Sequence, residues 1–169
     1  MVCPRLSGWT EGLLLPLADD PPLFLALCRF VEDITGGRLD PRSRERLLSC
    51  RLIAARKKSE GVRPIALSEV FVRLASLYCL RLLPVSILSS SFAPLQLGIG
   101  SSNGVELAIH RIQDHIERYP DHTLLSLDYV NGFNSMFRHV MLQRLYAQSG
   151  MDVLWRLADF CYGAPSQLL

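Results

Sequence analysis

Metal-binding spacing is absent from this sequence. Its five cysteines, at positions 3, 28, 50, 79 and 161, form no C-x-x-C pair, and an odd count does not fit a disulfide framework. They are expected to be buried, reduced thiols. The four histidines, at 110, 115, 122 and 139, also lack ligand spacing, which argues against structural zinc. Long apolar runs are missing too. Those around 13–17 and 23–27 are split by Asp19-Asp20-Pro21-Pro22, and neither approaches the roughly 20 residues of a membrane helix. The N-terminus has no charged region, apolar core and small-residue cleavage site in the order of a secretory signal. The expectation is an intracellular protein, nuclear or cytoplasmic, with no membrane partner. No internal repeat, low-complexity tract or GxxxxGK[ST] phosphate loop occurs.

What is present is ordinary globular material. A hydrophobic content of 49% with 20% charged residues over 169 positions is enough for one domain with a core. The net charge of +2 hides an uneven distribution. Between 38 and 73 lie ten Lys/Arg (38, 42, 44, 46, 51, 56, 57, 58, 63, 73) against four acids (40, 45, 60, 69), a local excess of +6 that leaves the remainder at −4. Such a block suits a polyanion, although a solvated basic face has the same look.

Residues 1–20 read as an irregular lead-in. Asp20 before Pro21-Pro22 is a helix start, with the Asp as cap and Pro tolerated in the first turn, and Gly36-Gly37 is the stop. A short basic helix at about 41–49 follows. Segments 51–56 and 62–67 are strand-like and joined by a polar stretch ending in Gly61, which predicts a hairpin. Pro64 restricts its second strand to an edge, or else sits in the early part of that strand. That hairpin is expected to hold Arg56, Lys57, Lys58 and Arg63 close together, a cation set suited to a triphosphate.

From Ser68 as cap to Leu83 the pattern is helical, apolar on most faces and therefore expected to be buried. Residues 84–102 read as a long Ser/Pro/Gly-rich connection. Asn103 with Glu106 resembles a capping box. It opens an amphipathic helix whose apolar stripe, Val105, Ala108, Ile109, Ile112, Ile116 and Tyr119, is expected to face a sheet. After a turn at 119–122, the run 124–127 reads as a buried strand delivering Asp128 into a turn at Asn131-Gly132. A carboxylate at the end of such a strand sits where open α/β sheets place ligands. Two helices close the chain, one from about 136 to 148 and one capped by Asp152 and ending near Tyr162. The fold class expected is α/β or α+β, helix-rich, with a small sheet.

Three blocks, in order, resemble the fingers and early palm of a reverse transcriptase from a non-LTR retrotransposon. The first runs from Arg51 through Lys57 and Gly61 to Val62-Arg63-Pro64-Ile65-Ala66. It is similar to the family's fingers hairpin "LpKpxGGvRPIa". The second runs from Gln96 through Gly98, Gly100 and Gly104 to Glu106, similar to "QxGxxxGxE". The third, Leu127-Asp128-Tyr129-Val130-Asn131-Gly132-Phe133-Asn134, is similar to polymerase motif A.

The resemblance implies an incomplete fingers-palm of a right-hand polymerase over 21–169. It implies Asp128 as a catalytic carboxylate and ligand of two Mg²⁺ ions, with Lys57, Arg63, Asn131 and Phe133 on the dNTP. Phe133 would act as the gate against ribose. Arg56, Lys58, Arg73, Gln96, Gly98 and Gly100 would lie on nucleic acid. The implied partners are an RNA template, a DNA primer and dNTPs. Glu60, Lys58 and Gly132 depart from the family's usual Gly, Pro and Ala. The family's Tyr-x-Asp-Asp and motif B have no counterpart in this sequence, so the chain by itself is expected to be catalytically inactive and truncated before those motifs. Two other readings stay open: a non-catalytic nucleic-acid-binding remnant that uses the basic block, and a pseudogene product with no function.

Overall fold

The computed structural model describes residues 5–56, 61–92, 94–99, 101–130, 132 and 135–169. Among them are eight α-helices and one two-stranded antiparallel sheet. The chain divides into two compact units, residues 1–82 with 152–169, and residues 83–151.

The first unit is built on helices α1 (Glu11–Leu14), α2 (Pro21–Thr35), α3 (Pro41–Leu48), α4 (Val70–Leu82) and α8 (Trp155–Tyr162), with the strands β1 (Arg51–Arg56) and β2 (Val62–Leu67). Helix α2 starts where its sequence dictates. The Asp20 side chain accepts from the Leu23 N–H at 3.1 Å, satisfying one of the first-turn donors that have no partner within the helix. Asp40 does the same for α3, accepting from the N–H groups of Arg42 and Ser43. These helices enclose a core of Val31, Ile34, Leu48, Val72, Ala75, Cys79, Leu157 and Phe160. Ile34 is fully buried, and each such side chain contributes about 1.5–3 kcal/mol relative to exposure. Arg44 lies over the Phe160 ring at 5.6 Å, closing the core with a cation on an aromatic face.

Several expectations are corrected here. The lead-in is not wholly irregular: Glu11–Leu14 is a helical turn continued by a 3₁₀ turn, Leu15–Ala18. Glu11 in the first turn favours it through the helix dipole. Helix α4 begins at Val70, two residues after Ser68, and only one side of it is buried. Val70, Val72, Ala75 and Cys79 face inward, while Leu77, Tyr78, Leu80 and Leu82 are exposed. Apolar content on every face is therefore not proof of burial. Asp152 lies in a 3₁₀ turn, Asp152–Leu154, that leads into α8, so it is not the cap of that helix. Among the described cysteines all four are free thiols, but only Cys79 is buried; Cys28, Cys50 and Cys161 are half-buried.

In the hairpin the expected boundaries hold, and Gly61 has φ +113°, a conformation that a side chain would disfavour. The register pairs Arg51 with Leu67, Ile53 with Ile65, Ala54 with Pro64 and Ala55 with Arg63. The Leu52 N–H donates away from β2, to the Leu169 carbonyl, so the even-numbered residues of β1 turn their backbone groups outward. Ala54 is one of these. Its partner Pro64 correspondingly stands where an N–H would point away from β1, so the ladder loses nothing to the proline.

The second unit contains α5 (Val85–Phe92), α6 (Gly104–Arg118) and α7 (Arg138–Ala147). The first half of the expected long connection contains α5. Pro84 supplies the carbonyl that accepts from the Ile87 and Leu88 N–H groups, and proline at a helix start is favourable. Serine-rich composition concealed it. Helix α6 has the expected span, but the capping box is not made. Asn103 adopts a left-handed conformation, φ +54°, and its side chain makes no capping bond. Asn reaches that region at lower cost than most residues.

The larger corrections concern the sheet. Residues 124–127 form no strand, and Leu124, Leu125 and Leu127 are 60–74% exposed. The apolar stripe of α6 is likewise open: Val105, Ile109, Ile112, Ile116 and Tyr119 are all exposed. A central strand needs hydrogen-bonding neighbours. Among the described residues β1 and β2 pair with each other, and none pairs with 124–127. Among the described residues no single helix is long and apolar enough to cross a membrane.

Candidate nucleic-acid and nucleotide site

In the first unit the hairpin separates the two arginines expected to act together. Directly paired residues share a face of a sheet, and neighbours along a strand alternate. Arg63, paired with Ala55, therefore lies on the face of Ile53, Ile65 and Leu67. Arg56, paired with Val62, lies on the face of Leu52, Ala54 and Pro64. Ile53, Ala55 and Leu67 are half-buried, whereas Leu52, Ala54 and Arg56 are exposed. Arg56 thus projects from the outer face, and Arg63 from the far end of the inner one. Neither has an ion-pair partner among the described residues. Lys57 and Lys58, which join the two strands, lie outside the described residues.

Other cations of the basic block are engaged. Arg73 reaches Glu11 at 3.3 Å, and Glu11 also holds Arg5 at 2.8 Å. The Arg5 hydrogen bond holds the Glu11 carboxyl down at about 2. Arg38 pairs with Asp33 at 2.9 Å. Pairs this exposed contribute little to stability, but they lower the free positive charge that the sequence alone displays.

In the second unit the glycine-rich block has a definite geometry. The Gln96 side chain folds back, and its Oε1 accepts from the Gly98 N–H at 2.6 Å. Gly104 opens α6 pressed against the preceding loop: a Cβ there would collide with the Leu97 carbonyl oxygen. That contact explains the glycine better than any turn requirement. Arg111 on α6 donates to the Pro94 carbonyl at 3.1 Å, a second tie between helix and loop. Gly100 lies outside the described residues.

Asp128 lies in an open depression of about 590 Å³ with Leu127, Tyr129, Val130, Gly132, Ser135 and Met136. It is exposed and has no partner among the described residues. Asn131 and Phe133, expected beside it on the nucleotide, lie outside the described residues. This donor set does not fit a pair of Mg²⁺ ions. Each such ion takes one or two carboxylates plus substrate phosphate, and the described lining supplies a single carboxylate. Among the described residues no group of three His, Cys, Asp or Glu stands ready to hold a metal.

One cluster escaped sequence reasoning. His115 near the end of α6 and His122 after the turn bring Nε2 and Nδ1 to 3.0 Å, and Tyr119 stacks on His122 with ring centroids 4.9 Å apart. The two histidines border a cavity of about 250 Å³ lined also by Arg111, Ile112, Ile116, Thr123 and Leu124. The available signal was the turn at Pro120, which folds position 122 back onto the helix.

Over 166 residues the sequence is 30% identical to the 132 kDa protein of the retrotransposable element SLACS from Trypanosoma brucei gambiense. The chain is a distant relative of a retrotransposon protein. The match covers 98% of the chain, which itself spans 14% of that relative's length. No protein-family model matches the sequence, and no solved structure matches it.

Proposed function

We propose that this chain is a fingers-to-palm segment of a non-LTR retroelement reverse transcriptase, and that its own activity is to bind a template-primer. The observation that carries the reading is the order of the three blocks within a sequence related along nearly all its length to a retrotransposable-element protein. The hairpin supports it, because Arg56 and Arg63 are exposed near its loop end and have no acidic partner among the described residues. In the parent polymerase Asp128 contributes one carboxylate to nucleotidyl transfer, Lys57 and Arg63 hold the dNTP triphosphate with Asn131 beside it, and Phe133 discriminates against ribose. Arg56, Lys58, Arg73, Gln96, Gly98 and Gly100 contact the nucleic-acid backbone.

The second reading, a nucleic-acid-binding remnant without catalysis, is favoured by the lone carboxylate at Asp128. Both readings require binding to a phosphate backbone. The test is fluorescence anisotropy of a labelled RNA–DNA template-primer titrated with the 169-residue chain. Binding should weaken by at least about tenfold between about 50 and 200 mM salt. No binding at the lower salt sinks both readings. Incorporation of dNTPs by the chain alone would sink the second and require carboxylates beyond Asp128.

A further inference from the structure

Three backbone hydrogen bonds join the last residues of the chain to β1 and to Cys50 just before it. The Cys50 N–H donates to the Gln167 carbonyl at 2.9 Å, the Leu169 N–H to the Cys50 carbonyl at 2.9 Å, and the Leu52 N–H to the Leu169 carbonyl at 2.8 Å. The pairing is parallel, with Leu168 opposite Cys50. The Gln167 side chain anchors its start by donating to Glu45 Oε1 at 2.7 Å. This is the evenly spaced pattern of a parallel ladder, laid on the edge of β1 that β2 does not use.

The ladder stops at Leu52 while β1 continues to Arg56. By the two-residue repeat of a strand, the Leu52 carbonyl and the N–H and carbonyl groups of Ala54 and Arg56 point out along this same edge. No described residue pairs with them, and Leu52, Ala54 and Arg56 are exposed.

We propose that the outer edge of β1 from Leu52 to Arg56 is a docking track for an extended polypeptide strand running parallel to β1. Its occupant is the segment that follows Leu169 in a longer protein. The register is already set by Leu168, so about five further residues reach the end of β1 at the ordinary rise of a strand. Continuing a ladder that has begun closes no new loop, which is the main entropic cost of pairing a separate segment. A protein as long as the relative, of which this chain spans 14%, has residues to supply. The proposal does not depend on the polymerase reading. The rival occupant is a second copy of the chain, since an open edge is a template for any strand.

The test extends Leu169 by six residues of alternating Thr and Val, or by six of alternating Gly and Ser. Amide exchange is then read at Ala54 and Arg56 by NMR in dilute solution. The Thr-Val extension should slow both amides by at least about tenfold relative to the Gly-Ser extension, and Ala54→Pro should return Arg56 to fast exchange. The Ile53 amide, which faces β2, should stay protected throughout. Equal exchange in the two extended chains overturns the proposal, as does an unprotected Ile53, which would mean that β1 is not formed. Protection that appears only as concentration rises, with doubled mass in sedimentation, assigns the edge to a second copy and overturns the occupant. Protection already present in the unextended chain at every dilution also overturns it.

Discussion

Ser7 donates both its backbone N–H and its hydroxyl to the carboxylate of Glu69, 62 residues further along the chain. Glu69 is only 2% exposed, and no described buried side-chain polar atom lacks a hydrogen bond. Hydrogen bonds to a charged acceptor contribute about 1.5–3 kcal/mol, and an orphaned buried carboxylate costs more. Ser7→Ala should therefore lower unfolding free energy by about 1–2 kcal/mol. Glu69→Ala, which frees the N-terminal segment, should raise protease cleavage before residue 20. Urea unfolding and limited proteolysis check the two; an unchanged midpoint in both variants would mean that the segment is not latched.

The opposite faces of Arg56 and Arg63 predict that they do not act as one site. Removing one phosphate contact reduces the salt slope of binding by about 1. Arg56→Ala should do so, whereas Arg63→Ala, at the dNTP position, should leave the slope of template-primer binding unchanged, and the double variant should show the two single effects without coupling, as independent contacts do. A double-mutant cycle by anisotropy measures this. Strong coupling between them would mean that one phosphate is shared.

Gly104→Ala places a methyl group where the Leu97 carbonyl oxygen already sits, and the obstacle is backbone. Overpacking of this kind costs about 1–3 kcal/mol. The expected outcome is a lower melting temperature by circular dichroism, with α6 still helical once folded, because alanine is the better helix former. A melting temperature equal to that of the parent would show that the loop yields freely.

Two titrations set opposite pH dependences. Glu11, held at about 2 by its hydrogen bond from Arg5, binds its proton less tightly folded than unfolded. Its contribution is present above pH 4.5 and is lost as pH falls toward 2. Cys161, pushed up to about 11 by burial, binds its proton more tightly when folded. Its contribution is complete below pH 9 and is lost as pH rises toward 11. Arg5→Ala should return the Glu11 titration toward the ordinary carboxylate range in an NMR pH series. Cys161 should be alkylated more slowly at pH 8 than a free thiol of ordinary pKa.

In a polymerase-competent protein that carries this segment, Asp128→Ala should reduce dNTP incorporation to background while template binding persists. Phe133→Val should raise rNTP use. Primer extension with each nucleotide class measures both. An active Asp128→Ala protein would remove that residue from the site, and unchanged sugar selectivity would remove Phe133 as the gate.

Local chemistry was legible in the sequence where one or two residues decide the backbone. Asp20 and Asp40 cap helices, Gly61 turns the hairpin, and the limits of both strands follow from their β-branched and polar boundaries. Features decided by partners were not legible. The run 124–127 has a strand's composition without strand neighbours, and the stripe on α6 has a core's composition without a core. Burial belongs to pairs of surfaces, and one surface alone cannot declare it. The site reading divides in the same way: residue identities gave Arg56, Arg63 and Asp128 as candidates, but only the register put the two arginines on opposite faces.

Pro64 has one more effect. Two edges would let copies of this sheet add to each other without limit, each new strand offering a further edge. With its missing N–H on the outward side of β2, Pro64 leaves that flank one donor short for pairing with a neighbour. Association through β1 should then end at a pair, so the proline guards against fibre growth in a chain that leaves many leucines in water.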